Sequence, residues 1–541
     1  MEDRFWWPLD LSAAQETAME DFRCELVASG ARLDHAAASA ADDALCQAMA
    51  SHLEGILERD SLPHLGHVVN GWGDAKSGGR RVLDAMELFV QRDGAGRPFI
   101  LQCDPEGEFH PWQSLAYSVM AGVAPGRRIP PGDLTLEGLA ANCRSIQTKE
   151  GRELGHLLYA LPQLPAALRD PRPFSMDGEL LDLAGLVERG IEAHYFGSFM
   201  VCRKFHLTEG LCAVAALVPQ MAAHRDEAQG FLDGQLDMLL VLGLVLREAR
   251  AVIEGKQDRT ALLGFREALA LGEEFENHCY YAGHLFELAA LCAALGYRVE
   301  PAHWSAMAFI AGELNELIPG LLPASVFDEC FLHFGHYRRG LTLLLEIDRA
   351  GPAALGPAQL SRFTVDFDAL PRRDWRSSRR DLPGAGVYRL APAQGSTRPG
   401  FAAAVGEYAR LAPAGLSARG KGHHFRRMSP PSWPRSVHYE LLDYGGEMGA
   451  EIHLESEDAR SLASDVQALV PRVRASFPGR RVEWDGGWSK GRGRLRVLFE
   501  AATPPEEVAA GMRRLMDATL SNLDQRAGAL LLSQRGDGLG S

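Results

Sequence analysis

The segment 273–298, EEFENHCYYAGHLFELAALCAALGYR, constrains the fold more than any other part of the sequence. Its apolar residues cover almost the whole circumference of a helix, and a helix that is apolar all round is buried rather than lying on a surface. Gly296 is placed to end this helix, because glycine readily adopts the left-handed conformation found at helix C-termini. The segment therefore predicts a helix inside a large helical domain.

Four polar side chains interrupt this apolar segment along one face of the helix. Glu276, Tyr280, His284 and Glu287 follow one another at steps of four, four and three. A buried polar group without a partner costs about 1–3 kcal/mol, so these side chains must either join a polar network or line a wet cavity. The sequence permits both alternatives, and the many histidines in the same half of the chain favour the cavity. We expect His284 and Glu287 to face a solvent-filled pocket with Tyr280.

The run 281–288, YAGHLFEL, carries a resemblance to known families. It resembles the C/Y-A-G-H-L-I-E-A helix of the bacterial beta-L-arabinofuranosidase family and the shorter P-G-H-x-x-E helix of the N-acylglucosamine 2-epimerase family. Both families are barrels of paired helices, or α/α toroids, in which the inner end of such a helix lines a sugar pocket. The resemblance implies an α/α-toroid-like domain, with His284 as an acid/base or substrate-binding residue and Glu287 beside it.

Length, charge and hydropathy limit the class of protein. A chain of 541 residues is expected to contain two to four domains, or one large helical domain with an appendage. The net charge of −15 argues against nucleic acid or an anionic membrane as a partner. The N-terminus lacks the features of a secretory signal, and no run of about eighteen apolar residues occurs. We therefore expect a soluble, cytoplasmic protein.

The pattern along the chain predicts a mainly α protein with four parts. Residues 1–370 are predicted to form a multi-helical, α/α-toroid-like domain with a short β-hairpin near residues 88–103. Residues 371–436, with thirteen Lys and Arg against three Asp and Glu, predict a basic Pro/Gly/Arg-rich connector. Residues 437–535 predict a small α+β module with the order ββαββα, and 536–541 a disordered tail. The module lacks a nucleophile–base pair, so we expect it to mediate self-association, as in a homodimer, or contact with a partner rather than catalysis.

Other candidate site residues come from a helix start and from histidine-rich helices. Pro111 is suited to the first turn of a helix, and neighbouring polar side chains would gather around the unpaired N–H groups there; helix capping with a packed tryptophan is the alternative. A histidine beside a carboxylate can act as a general acid or base, because its pKa lies near neutrality. The candidate catalytic residues are His284 and Glu287, and the candidate substrate-binding residues are Tyr280, Glu276, His278, His110, Trp112, Gln113, His194, His206, His333 and His336.

No cofactor or metal ligand is assigned from the sequence. It contains no H-E-x-x-H motif and no Walker loop. Its nine cysteines are scattered without a C-x-x-C pair, which argues against a disulfide framework or a zinc ribbon.

Three functions are compatible with these patterns. The first is an enzyme, such as an epimerase or hydrolase, that performs acid/base chemistry on a small polar, sugar-like molecule. The second is a non-catalytic scaffold that binds a peptide or protein. The third is a metal-dependent modification enzyme that uses the histidine cluster, because Glu and His side chains from facing helices can bind a transition metal.

Overall fold

The computed structural model describes most of the chain, and it divides the chain into two compact units, residues 1–392 and 393–541. The described residues are 11–57, 62–100, 111–130, 132, 134–146, 153–169, 172–176, 179–196, 204–256, 265, 269, 274–322, 327–355, 363–370, 399–411, 417–421, 425–430, 432–434, 436–444, 447–455, 458–486, 493–500 and 502–536. Among them, no helix is both long and apolar enough to cross a membrane.

The first unit is built from helices. Their bounds are α1 Ala13–Ser29, α2 His35–Leu57, α3 Leu62–Trp72, α4 Pro111–Met120, α5 Leu136–Asn142, α6 Leu154–Ala160, α7 Pro165–Arg169, α8 Leu183–Phe196, α9 Phe205–Leu217, α10 Arg225–Ile253, α11 Phe275–Ala294, α12 Pro301–Leu321 and α13 Phe327–Ala350. One continuous apolar core runs through them.

This unit also contains short strands. They are β1 Lys76–Ser77, β2 Arg80–Arg81, β3 Val90–Arg92, β4 Pro98–Ile100, β5 Arg128–Ile129, β6 Leu134–Thr135, β7 Ser145–Ile146, β8 Phe174–Met176 and β9 Glu179–Leu181. Strands β3 and β4 pair antiparallel, at the position of the predicted hairpin.

The central helix α11 agrees closely with its prediction. It begins at Phe275 and ends at Ala294, and Gly296 has a φ of +80° in the left-handed region. Helix α4 begins at Pro111, which as a first-turn residue needs no hydrogen-bond acceptor. Local sequence signals therefore determine where both helices of interest begin or end.

Glycine allows α13 to pack against its neighbours at very short distance. A Cβ atom on Gly283 of α11 would lie well inside 3.0 Å of the backbone of His336 and Tyr337. On the other side, a Cβ atom on Gly71 of α3 would lie 2.5 Å from the Cα of Gly335. Because only glycine fits at these crossings, the side chains beside them are brought together in the centre of the unit.

The second unit contains a six-stranded antiparallel sheet with the order β10-β11-β12-β13-β15-β14. The strands are β10 Ser417–Lys421, β11 Phe425–Ser429, β12 Val437–Asp443, β13 Glu447–Leu454, β14 Arg481–Asp485 and β15 Arg494–Glu500, and the helices are α14 Pro399–Leu411, α15 Ala463–Ser476 and α16 Pro505–Gly536. Side chains alternate along the strands, so one face of the sheet packs with the helices in an apolar core that includes Tyr439 and Ile452.

The structure confirms a mainly helical chain with a small antiparallel sheet near its C-terminus, and it corrects the predicted boundaries. The second unit begins near residue 393, and α14, β10 and β11 lie within the segment 371–436 that we predicted to be a connector. The order ββαββα is therefore extended at its start by one helix and two strands. Because proline, glycine and arginine dominate the composition of this segment, its sequence pattern did not indicate the helix and the two strands. Residues 537–541 of the predicted tail lie outside the described part.

Candidate functional site

Three buried imidazoles from three helices converge in the helical unit. His206 lies in the first turn of α9, His284 lies in the middle of α11, and His336 lies in α13. Each ring offers a nitrogen, and these three nitrogens lie within 4.8 Å of one another. His284 and His336 have no exposed surface, and His206 is 4% exposed. The group is thus closed off from bulk water.

Each of the three rings has its Nδ1 atom fixed by an oxygen. His206 Nδ1 lies 2.7 Å from Glu209 Oε2, and His336 Nδ1 lies 2.9 Å from Glu287 Oε2. His284 Nδ1 lies 2.8 Å from the backbone carbonyl one turn earlier in α11. When Nδ1 donates its proton to such an oxygen, the lone pair resides on Nε2. The Nε2 atoms of His284 and His336 have no hydrogen-bond partner within the described structure.

Both fully buried imidazoles are held neutral. Burial lowers the pKa of His284 and that of His336 well below the usual value of 6.5, and the neighbouring imidazoles act in the same direction. Neutral imidazole is the form that binds metal ions.

Glu287 links the His336 ring to further polar side chains around the three imidazoles. Its Oε1 accepts a hydrogen bond of 3.1 Å from Asn70 Nδ2 and lies 3.6 Å from Arg339 Nε. Burial raises the pKa of the Glu287 carboxyl to about 8, and the charge of Arg339 opposes this shift. The arrangement fixes the orientation of the His336 ring.

Aromatic rings and further histidines surround this group on two sides. On the inner side, the Tyr117 ring contacts the rings of His67, His156, His206 and His336 at centroid distances of 5.3–5.8 Å. Its hydroxyl lies 3.2 Å from His206 Nε2.

On the outer side, Tyr280 lies 4.2 Å from His284 and 4.9 Å from His333, measured between ring centroids. Tyr280 and His333 are partly exposed. Burial lowers the pKa of His333 to about 4, so this ring is also neutral. The Tyr280–His333 pair is therefore the boundary between the buried imidazoles and solvent.

The structure brings together about half of the candidate residues. The rings of His206, His336 and Tyr280 contact the ring of the candidate catalytic residue His284, and His333 contacts Tyr280. The other candidate catalytic residue, Glu287, lies within hydrogen-bond distance of His336. Gln113 lies beside the group, with its Nε2 atom 3.3 Å from His67 Nε2 and 3.4 Å from the Tyr117 hydroxyl.

The remaining candidates have other contacts. His194 stacks on Phe231 and lies 3.0 Å from the Thr208 hydroxyl. The His278 ring lies 2.9 Å from the backbone carbonyl of Glu274.

Trp112 donates its indole N–H to the Cys143 carbonyl, and its backbone N–H to Glu153, as in the capping alternative. Glu276 is fully buried one turn before Tyr280. His110 lies outside the described residues.

The predicted solvent-filled pocket at His284 is corrected by the structure. Both His284 and Glu287 have no exposed surface, because the glycine crossing at Gly283 packs α13 directly against α11. A cavity of about 410 Å³ is instead lined by residues that include Asp74 and Arg127, and neither predicted catalytic residue lines it. The polar stripe of α11 is thus a buried network with its outer edge at Tyr280.

Several site residues were missed by the sequence reasoning. They are His67, Asn70, Tyr117, His156, Glu209 and Arg339. One signal was available, because His206 and Glu209 have the same H-x-x-E spacing as His284 and Glu287, and Glu153 and His156 have the reverse spacing. No local pattern marks Asn70 or Arg339, whose roles depend on packing between distant helices.

Comparison with known proteins gives no assignment: no family model, no curated protein and no solved structure matches this chain.

Proposed function

We propose that the helical unit is a metal-dependent enzyme whose ion is bound by His206, His284 and His336. The observation that carries the proposal is the set of three buried imidazoles whose Nδ1 atoms are each fixed by an oxygen. Metal-binding histidines almost always donate their other ring N–H to a carboxylate or a backbone carbonyl. Without a cation, two Nε2 atoms stay buried without a hydrogen bond, at a cost of about 1–3 kcal/mol each.

The ligand set indicates the kind of ion and of chemistry. Imidazole nitrogens suit zinc, iron, copper and nickel rather than magnesium or calcium. Catalytic zinc sites keep three protein ligands and one open position, whereas structural sites are closed by four. An ion with an open position lowers the pKa of a bound water towards neutrality. Three histidines without a fourth charged ligand among the described residues therefore favour catalysis over a structural role.

The open position is expected to lie towards the Tyr280–His333 pair, because this is the partly exposed side of the group. A small polar substrate would enter between the two rings. Tyr280 and His333 would contact it, and Glu287 would keep the His336 ring in place through the 2.9 Å contact.

Metal content of the purified full-length chain tests this proposal. After removal of metal with a chelator and reloading with cobalt(II), the wild-type protein should show the visible absorption of a nitrogen-ligated ion, and His336→Ala should lose it. His194→Ala is the matched control, because His194 is also a buried histidine of this unit but contacts Phe231 and Thr208. Equal spectra for wild type and His336→Ala would refute the proposal.

A second candidate is acid/base chemistry without a metal, on a small polar and sugar-like molecule. The raised pKa of Glu287, about 8, supports it, because a carboxyl that is protonated near neutrality can act as a general acid. Turnover that survives complete metal removal but is lost in Glu287→Gln would favour this candidate.

Four further properties stay predictions from the sequence. They are the toroid arrangement of the helices, a scaffold function, self-association through the second unit and a cytoplasmic location. The large helical unit with a buried histidine group is compatible with the first of them.

A further inference from the structure

A second group of histidines and carboxylates lies in the sheet of the C-terminal unit. Within this unit the sequence H-x-E occurs twice, as His438 with Glu440 on β12 and as His453 with Glu455 at the end of β13. The two strands pair antiparallel with His438 directly opposite His453. Residues two apart on a strand share a face, so all four side chains lie on the same face of the sheet.

The four side chains converge on one point. His438 Nε2 lies 3.1 Å from Glu440 Oε2 and 3.8 Å from Glu455 Oε1. His453 Nδ1 lies 3.7 Å from each of the same two oxygens. All four ligand atoms lie within 4.8 Å of one another.

These separations are compatible with a bound metal ion as well as with a network of hydrogen bonds and ion pairs. Three of the four are 3.7–3.8 Å, whereas N–H···O hydrogen bonds are 2.7–3.2 Å long. In a tetrahedral zinc site with bonds of about 2.0–2.2 Å, neighbouring ligand atoms are about 3.3–3.6 Å apart. The four observed distances run from 3.1 to 3.8 Å and so span this expected separation.

The surroundings of His453 add a second feature of metal sites. Its Nε2 atom lies 2.8 Å from Glu451 Oε2, and Glu451 also accepts a hydrogen bond from the Tyr444 hydroxyl. A carboxylate on the outer nitrogen fixes the ring orientation and leaves Nδ1 directed at the centre of the group. His206 and His336 have the same arrangement with Glu209 and Glu287 in the helical unit.

Arg427 is the competing cation. It donates to the same two oxygens, with its Nε 2.9 Å from Glu440 Oε2 and its Nη2 3.0 Å from Glu455 Oε1. Arg427 is more exposed than the group, since its side chain has 37% exposure against 3–4% for His438, Glu440 and His453. It can therefore bind the outer side of the carboxylates, while the two imidazoles approach from the inner side.

We propose that His438, Glu440, His453 and Glu455 form a second transition-metal site, independent of the one in the helical unit. Two imidazoles and two carboxylates suit zinc. Because four protein ligands are available, this site is closed and stabilises the β12–β13 pair rather than performing catalysis.

Zinc stoichiometry of the full-length chain tests the proposal. After chelation, reloading with zinc chloride and desalting, His438→Ala should contain one zinc ion fewer per chain than wild type. The same loss of one ion is expected when His438→Ala is made in a His284→Gln chain, so the result does not depend on the helical site. Glu483→Gln is the control, since Glu483 occupies the same row of the sheet but pairs with Arg496.

Two further variants keep the test decisive if His438→Ala does not fold. Because Glu455 is partly exposed, Glu455→Gln is expected to fold. This substitution should weaken zinc binding at least about tenfold. Arg427→Gln should tighten zinc binding, because it removes a positive charge from both carboxylate oxygens. The proposal is overturned if the zinc content of His438→Ala and Glu455→Gln is unchanged, and if Arg427→Gln is less stable without binding zinc more tightly. Such a result would show that the group is a metal-free ionic network.

Discussion

His284 and His336 stack across the contact between α11 and α13, with ring centroids 3.6 Å apart and ring planes inclined by 30°. Both Nδ1 atoms are fixed by oxygens of α11: that of His284 by the backbone carbonyl of Tyr280, and that of His336 by the carboxyl of Glu287. Two neutral imidazoles in this arrangement present their Nε2 atoms to the same small volume, without a hydrogen-bond partner in the described structure. A cation in this volume would bind the lone pairs of both Nε2 atoms.

The carboxylates behind the rings should control metal affinity. Replacing Glu287 or Glu209 by Gln keeps the size of the side chain but removes the carboxyl group that orients an imidazole, and such changes typically cost about 10–100-fold in affinity. Competition with a chromophoric chelator measures the effect. Glu313→Gln is the control, because Glu313 pairs with Arg250 on α10. A similar loss for all three variants would indicate general destabilisation instead.

The glycine crossing between α11 and α13 should be sensitive to a single methyl group. In Gly283→Ala, the new Cβ would collide with the backbone of α13, and we expect a loss of about 1–3 kcal/mol in the free energy of unfolding. Gly312→Ala on α12 is the matched control: its Cβ meets nothing within 4 Å, so a gain of about 0.5–1 kcal/mol is expected. Chemical denaturation followed by circular dichroism measures both. If Gly283→Ala were as stable as Gly312→Ala, the close packing would be incorrect.

His194 should make the metal-free protein less stable in acid. Burial, aided by the charge of Lys204, lowers the pKa of His194 to about 3, whereas in the unfolded chain it is about 6.5. Between these values the unfolded state binds more protons, so stability falls as the pH decreases from about 6.5 towards 3. The slope contributed by this residue is up to about 1.4 kcal/mol per pH unit. Urea unfolding between pH 4 and 7 should show a shallower pH dependence for His194→Gln; parallel curves would contradict the assignment.

The Tyr280–His333 pair should control access to the metal. In Tyr280→Ala, both uptake of cobalt(II) and its removal by a chelator should be faster, while the equilibrium affinity changes only a few-fold, because Tyr280 supplies no ligand atom. Stopped-flow absorbance measures the rates. Tyr281→Phe, which removes the hydroxyl that donates to the Leu269 carbonyl, should leave the rates unchanged. Unaltered rates in Tyr280→Ala would place the entrance elsewhere.

The sequence predicted the helical unit well, because its signals are local. The all-round apolar pattern of α11, Gly296 at its end and Pro111 at the start of α4 are read within a few residues. The polar stripe on α11 directed attention to His284 and Glu287, which the structure buries in a polar network. Whether that stripe faced water or a network depended on Gly283 and Gly71, whose role is visible only when two helices are brought into contact.

The partners of the site could not be predicted, because they are distant in sequence. Asn70 and Glu287 are 217 residues apart, and Asn70 and His336 are 266 apart. In the C-terminal unit, the H-x-E pairs were visible in the sequence, but their convergence depends on the register that places His438 opposite His453. Spacing alone does not specify such a register.

The most direct test of the central claim is an anomalous diffraction experiment on crystals of the full-length protein loaded with zinc. The account predicts an anomalous peak in the helical unit, about 2.0–2.1 Å from the Nε2 atoms of His206, His284 and His336. It also predicts that the Nδ1 contacts to Glu209 and Glu287 are retained. A map from fully loaded protein with no peak among these three rings would contradict the account.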